Sequence, residues 1–472
     1  MIDDIARACR PAAGNCVTAP AIVPHDLAVS DAKRAVARRW RATVFRIGRV
    51  AVLSAAAKGP GFLIPLIAAA TFGAGAETDA YFLAYGAVLL AGSAVSTALE
   101  AATVPAAARA LRGPAAELTD FRRMLRRRGL AFGITSACGG GVALAIMLTI
   151  FPPANVPPAM VLRQYALLAP MALMAALSGS YSGAVLAAGK LETSIGSNFL
   201  RGLGALAGAI VGAKLHALWP LGIGPVIGEA CRVSFLHRRF RRVVVAREDA
   251  APEIDPAVDG QQGPRPRRAA LSQMSAQLLL AGTVLLERLI VGGAVGGAVS
   301  RLEYAWRLFF VASVLFDGGI GPFLLVRWSH AHAAGRLRVD WRTVQRPIVA
   351  AAGLAAAVAL ALFTFAPLVV HVLYGRGAFA PTDVEAVTAV LRAYAFGFVC
   401  NMTSICMERL LLARGQNGAF LRLTLARVGS HLVSMKLLLP VAGIMAAPYG
   451  FTIGELLYVL LLIVVLHARG FQ

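Results

Sequence analysis

The chain has 472 residues, of which 58% are hydrophobic and 15% charged, with 46 Lys and Arg against 24 Asp and Glu for a formal net charge of +22. So few polar groups cannot cover so much apolar side chain in a water-soluble globule, and the bilayer is the expected solvent. Nor does the charge read as a nucleic-acid surface, because the arginines sit in short segments between long apolar runs and not on amphipathic faces interleaved with aromatics.

Residues 1–43 lack the apolar core and cleavage site of a secretory signal and end in a basic run. They are expected to be a disordered cytoplasmic leader, with a translation start assigned too far upstream as the alternative. A helix needs about 20 mainly apolar residues to cross the hydrocarbon. Six such stretches follow, at 44–72, 78–111, 129–151, 161–189, 194–213 and 215–236. A polar interruption at 237–268, containing EDAAPEIDPAVDGQQGPRPRR, reads as a cytoplasmic linker. Six more stretches occupy 269–295, 301–328, 347–374, 384–413, 421–446 and 448–467. The expected fold is an all-α polytopic membrane protein of about twelve transmembrane helices in two six-helix lobes, 44–236 and 269–472.

The loops between these stretches alternate in basic content. Arg38, Arg39 and Arg41, then Arg122 to Arg128, then Arg238 to Arg242 with Arg265, Arg267 and Arg268, and finally Arg336, Arg338, Arg342 and Arg346 mark one side. The opposite loops hold little beyond Arg163, Lys214, Arg301 and Arg376. Under the positive-inside rule the basic loops and both termini are cytoplasmic. Each lobe's second stretch follows a Gly-rich turn and reaches a proline: FGAGAETDAYFLAY leads to Pro105, and GGAVSRLEYAWRL to Pro322. Such internal echoes are common in transporters that handle substrate between two halves.

Ionisable groups deep in a span cost about 2.5–3.5 kcal/mol each on insertion scales, so each needs a partner or a wet cavity. Lys58, Glu100, Glu229, Glu287, Arg288, Arg307, Asp317, Arg392, Lys436 and Glu455 all fall within the predicted spans. Glu100, Arg392 and Glu455 stand near span ends, where snorkelling to the interface is the simpler expectation. Lys58 opens Lys58-Gly59-Pro60-Gly61, with Pro65 close behind, which suggests a broken first helix whose freed carbonyls and ammonium face a cavity; a simple kink is the alternative. Arg307, after Tyr304 and Trp306, offers a planar fork suited to a phosphate, or to a buried ion pair. Glu287 and Lys436 are candidates for an ion pair with each other or for a proton or cation coupling site.

No metal-ligand spacing, phosphate-binding Gly-rich loop or nucleophile elbow is found, so neither an enzyme nor a metal or organic cofactor is expected. His330 and His332 lie in a basic loop and read as solvated. The six cysteines show no paired spacing and read as small hydrophobes. Gly202, Gly204, Gly208 and Gly212 permit close helix approach.

Three ordered landmarks carry a family resemblance. FGAGAETDAYFLAY with Val104-Pro105, then Ala298-Val299-Ser300 through Tyr304-Ala305-Trp306-Arg307-Leu308 with Pro322, then LYGRGAFAPTDVEAVTAVLRAYAFGF resemble the MurJ/MviN branch of the multidrug/oligosaccharidyl-lipid/polysaccharide exporter superfamily. The resemblance implies a V-shaped exporter of the bacterial inner membrane that moves an undecaprenyl-diphosphate-linked glycan by alternating access. It places Arg307 at a cavity arginine, Lys58 where the first helix has an arginine, and Asp79 at the motif aspartate, so that Lys58 and Arg307 hold the diphosphate. This chain departs from the pattern at Ile64, Ala91, Gly92 and Ser93, where further arginines are expected, and Glu100 stands near where an Ala-Glu-Gly motif would be. The two extra C-terminal spans of typical lipid II flippases have no counterpart after His467. These departures point to an exopolysaccharide or other surface glycan as cargo. The other readings are a lipid II flippase, a cation-coupled small-molecule exporter and a non-transporting scaffold of a glycan synthesis complex. The implied partners are the lipid-linked glycan, the bilayer and glycan synthesis enzymes, with energy from a proton, a sodium ion or the membrane potential.

Overall fold

The computed structural model describes residues 53–470, apart from 54–55, 58, 112–114, 249–265, 294–295, 317–319, 322–323, 326 and 329–340. Among the described residues there is no strand. The first-lobe helices are α1 (Gly59–Phe72), α2 (Ala76–Ala110), α3 (Ala115–Ile150), α4 (Pro158–Ala187), α5 (Leu191–Leu215) and α6 (Trp219–Glu248). The second lobe has α7 (Pro266–Gly292), α8 (Ala298–Leu315), α9 (Trp341–Tyr374), α10 (Pro381–Ala413), α11 (Asn417–Ala442) and α12 (Ala446–Gly470). Each apolar stretch read from the sequence overlaps one of them, the stretches 44–72 and 301–328 only in part.

Local chemistry sets several ends. α4 and α10 begin on prolines, which need no amide partner in the first turn. At the start of α10 the Asp383 carboxylate accepts from the Ala380 N–H at 3.3 Å. Between α11 and α12 the chain turns at Gly443 through a short 3-10 segment, Gly443–Met445, inside a 51-residue apolar run.

The helices outrun the apolar stretches on the basic side. α3 begins at Ala115 and α6 continues to Glu248, so much of what reads as loop and linker is helical. The reason is an apolar stripe that persists through the arginine-rich segments: Leu118, Phe121 and Leu125 of α3 pack on Leu236, Phe240 and Val244 of α6. From Gly59 to Phe72 α1 is continuous through Pro60 and Pro65. Lys58 and the expected leader lie outside the described residues.

Among the described residues seven stretches are long and apolar enough to cross a membrane: α2, α3, α4, α5, α9, α10 and the run through α11 and α12. α6, α7 and α8 carry ionisable groups along their length: Glu229 and Arg232, Glu287 and Arg288, and Arg301, Glu303 and Arg307. Outward faces are apolar, with Val441 91% and Leu360 67% exposed, as lipid contact requires.

In the first lobe α4 packs on α2, α3 and α6, and α5 packs on α6. Gly224 of α6 lies so close to α5 that a Cβ there would sit 2.6 Å from the Gly204 carbonyl oxygen and 2.7 Å from Gly208 Cα. In the second lobe α10 packs on α8, α9 and α12, and α11 on α7 and α12. The lobes meet where α2 lies against α7 and α8.

Candidate functional site

The three sequence landmarks converge at one end of the seam between the lobes. The Asp79 carboxylate, in the first turn of α2, accepts from the Ser300 N–H at 2.8 Å and from the Ser300 hydroxyl at the start of α8. Tyr304 donates from its hydroxyl to the Gly73 carbonyl at 3.0 Å, and its ring packs against Phe82, Tyr374 and Phe379. The Ala378 N–H donates to the Ala70 carbonyl at 2.8 Å, and Arg301 is held by Asp383 at 2.8 Å. Gly73 has φ +65 and a Cβ there would lie 2.7 Å from the Ala378 oxygen, so this turn needs a glycine for both conformation and space. Asp79, Tyr304 and the α9–α10 loop thus tie the first lobe to the second.

Further along the seam lies a line of buried charges. Glu287 of α7 pairs with the neighbouring Arg288, accepts from the Tyr394 hydroxyl at 2.7 Å and lies 3.2 Å from His431 Nε2. Arg288 reaches Glu303 at 3.5 Å, and Glu303 holds Arg307 Nε at 2.7 Å. Four helices, α7, α8, α10 and α11, supply this chain. Trp306, Phe309, Tyr394 and Phe451 pack around it, with Trp306 stacked on Phe309 at 5.0 Å. Burial falls from one end to the other: the Arg288 side chain is 4% exposed, Glu303 13% and Arg307 25%. Arg307 is within electrostatic reach of Tyr81 and Tyr85 on α2, which puts its guanidinium at the seam.

Apart from this line, each lobe buries an ionic cluster of its own. In the first, Glu229 accepts from Ser178, meets Arg232 at 3.0 Å and Arg201 at 3.8 Å, while Arg232 also donates to Ser197 at 3.1 Å. In the second, Glu455 accepts from Ser404 at 3.2 Å and pairs with Arg427, which also meets Glu408 at 3.4 Å and lies 5.0 Å over the Tyr458 ring. Serine and glutamate stand 51 positions apart in both lobes, with the arginine at the same place between them.

The structure brings some of the predicted site residues together and separates others. Arg307 and Glu287 belong to one network. Lys436 is exposed and does not pair with Glu287, whose partners are Arg288, His431 and Tyr394, because α11 turns His431 and not Lys436 toward α7. Glu455 does not snorkel: it is 1% exposed, since its face of α12 packs on α10 and α11. Arg392 does lie at the surface, donating to the Phe363 carbonyl at 3.1 Å. Pro60 packs beside Gly202. α2 runs past Pro105 to Ala110, whereas Pro322 and Asp317 lie outside the described residues. The positions that depart from the family pattern are small or apolar: Ile64 is buried, and a Cβ on Gly92 would lie 3.2 Å from Ala172 Cα, packing α2 on α4.

The sequence reading missed Arg201, Arg232, Glu303, Glu408, Arg427 and His431. Two signals were available for some of them: Glu303 and Arg307 stand four apart and Glu229 and Arg232 three apart, spacings that pair side chains on a helix, and the Ser, Arg, Glu order repeats. Nothing local marks His431, which sits in an apolar helix whose partners come from distant segments. Among the described residues no group of His, Cys, Asp and Glu is suited to hold a metal ion.

No curated protein matches the chain significantly. The fold is similar to that of a lipid II flippase MurJ in an inward closed conformation, with TM-score 0.63 and 14% identity over 88% of this chain and 87% of that one. It is similar to a multidrug resistance MATE-family transporter of the MOP superfamily in an inward-facing conformation, with TM-score 0.69 and 15% identity over 88% and 94% of the two chains. A MOP-superfamily transporter from Pyrococcus furiosus, for which a reversed binding-pocket polarity is described, gives TM-score 0.59 and 16% identity over 90% and 95%. These likenesses show that the chain has the two-lobed helical fold of these proteins. The model of the family described as lipid II flippase MurJ matches residues 68–472, from the end of α1 to the C-terminus, and the chain is a member of that family of multi-pass membrane transporters.

Proposed function

We propose that this protein moves an undecaprenyl-diphosphate-linked glycan across the inner membrane by alternating access, with both termini cytoplasmic and the Asp79–Ser300 end of the seam facing outward. The observation that carries the reading is Arg307. Its Nε is fixed by Glu303, it is one-quarter exposed, and it stands on the face of α8 that meets the other lobe. A guanidinium held by one edge presents the other edge as a preorganised fork for a diphosphate. Keeping a cation there is costly in a membrane, and an anionic cargo gives it a use. Lys58 is proposed as the second cation at the diphosphate.

The cargo is proposed to be a surface or exopolysaccharide precursor. Ile64 and Gly92 occupy packed sites where the family pattern has arginines, which leaves fewer cations for a cell-wall precursor. Family membership favours the second reading, lipid II. The test is to delete the gene, follow radiolabelled lipid-linked intermediates, and complement with wild type, Arg307→Ala or Arg307→Lys at matched membrane abundance. A non-peptidoglycan intermediate trapped in the inner leaflet, released by wild type and poorly by either variant, is expected. Lipid II accumulation supports the second reading, and full rescue by Arg307→Ala removes the diphosphate role.

A further inference from the structure

Far from the Asp79 end of α2, the arginine-rich extensions of α3 and α6 enclose a cleft of about 270 Å³. Arg122, Arg123 and Arg126 of α3 face Arg241 and His237 of α6 across it, and Tyr181 of α4 closes the inner wall. The Tyr181 and His237 rings meet edge to face with centroids 5.1 Å apart. Below them, Phe121 and Phe240 pack in the apolar stripe that holds the two extensions together, so the cationic side chains spring from fixed helices.

This concentration of charge has little internal compensation. Asp120 lies 3.9 Å from Arg123. Among the described residues no carboxylate pairs with Arg122, Arg126 or Arg241. The resulting potential is felt by His237, whose imidazolium is disfavoured below its usual range, first by partial burial and then by Arg122, Arg241 and Arg126. Guanidiniums converging on one cleft repel each other unless an anion with several acceptor oxygens joins them. The cleft lies beyond the apolar part of α3 and α6, on the arginine-rich extensions.

We propose that this cleft is a binding site for a phosphate-bearing anion, held by Arg122, Arg126 and Arg241 against Tyr181, and separate from the seam that contains Arg307. The inference does not depend on the cargo. The phosphate belongs either to an anionic lipid headgroup or to a soluble phosphate or diphosphate.

The test uses the purified full chain in neutral detergent at constant ionic strength, titrated separately with inorganic pyrophosphate and with short-chain phosphatidic acid, while thermal unfolding is followed. A saturable rise in the unfolding midpoint is expected. Arg122→Gln with Arg241→Gln should weaken it on the order of tenfold. Arg239→Gln should leave it unchanged, because Arg239 lies over the Phe235 ring at 5.2 Å and not in the cleft. In the wild type, the His237 titration midpoint should rise as the anion saturates, a readout independent of any variant's folding. Response to phosphatidic acid at far lower concentration than to pyrophosphate assigns the site to a lipid; equal response assigns it to a soluble anion. No midpoint shift with either probe, or an equal shift in the double variant, overturns the proposal.

Discussion

In the first lobe Glu229 faces two arginines, Arg201 and Arg232; in the second Arg427 faces two glutamates, Glu408 and Glu455. The two clusters are otherwise built alike, with a serine on α4 or α10, an arginine on α5 or α11 and a glutamate on α6 or α12, at matching spacing. They differ at two corresponding positions. Four residues after the serine stands Ser182 in one lobe and Glu408 in the other; three residues after the glutamate stands Arg232 in one and Tyr458 in the other. A repeated Ser, Arg, Glu core has therefore been completed with opposite charge. Each surplus has a more distant countercharge within electrostatic reach, Glu100 for Arg232 and Arg409 for Glu408. The difference shows that the repeat specifies where charge is buried, and that its sign is set by two flanking positions.

Removing the shared arginine should be most damaging where it separates two carboxylates. Arg427→Met leaves Glu408 and Glu455 buried side by side, and breaking a buried pair by deleting one partner costs roughly 3–5 kcal/mol. We expect about 5 kcal/mol here, measured as loss of stability against denaturing detergent. A loss under about 1 kcal/mol would show that water or Arg409 already neutralises the glutamates, and the comparison between lobes would fail.

Removing the shared glutamate in the first lobe should cost less. Glu229→Gln leaves Arg232 facing Arg201, but Ser178 and Ser197 still accept from Arg232 at 3.2 and 3.1 Å, and Arg201 is 36% exposed and can turn to water. About 3 kcal/mol is expected, the low end of the same range. Adding Arg201→Met to Glu229→Gln should recover part of that loss, because it removes the like-charge contact. Thermal stability of the single and double variants checks the sign. A double variant less stable than Glu229→Gln would mean that Arg201 acts through packing.

How much of this was visible in the sequence varies with the range of the interactions involved. The spans were legible, because each must satisfy its own backbone within the bilayer and so declares itself by length and apolarity. The Gly-rich turns and Tyr304 were legible as motifs, but their meeting at one latch was not, since Asp79 and Ser300 stand 221 positions apart. Glu287 was recognised as a buried acid whose partner was sought in Lys436. The partners are Arg288 and His431, and the rotational setting of α11, which decides between His431 and Lys436, is fixed by packing against α7 and α12. Glu455 was misjudged for the same reason. Distance from a span end says how deep a residue lies, and only the neighbouring helix says whether it meets lipid.

The smallest effect expected is also the sharpest test of the comparison. Arg201 and Arg427 occupy the same place in the repeat, yet Arg201 is 36% exposed and stands 3.8 Å from a glutamate that already has Arg232 at 3.0 Å, whereas Arg427 is 12% exposed and carries two acids. Arg201→Met alone should therefore change stability by only about 0–1 kcal/mol, as for a partly solvated ion pair. Moving the contrast sharpens it further: with Arg232→Tyr in place, copying Tyr458, Arg201 becomes the one arginine still paired with Glu229, beside the Ser178 hydroxyl, and Arg201→Met should then cost about 3 kcal/mol. Thermal unfolding of these variants reads the coupling directly. If Arg201→Met costs the same with and without Arg232→Tyr, the two arginines do not share Glu229, and the opposite charge of the lobes must be balanced elsewhere.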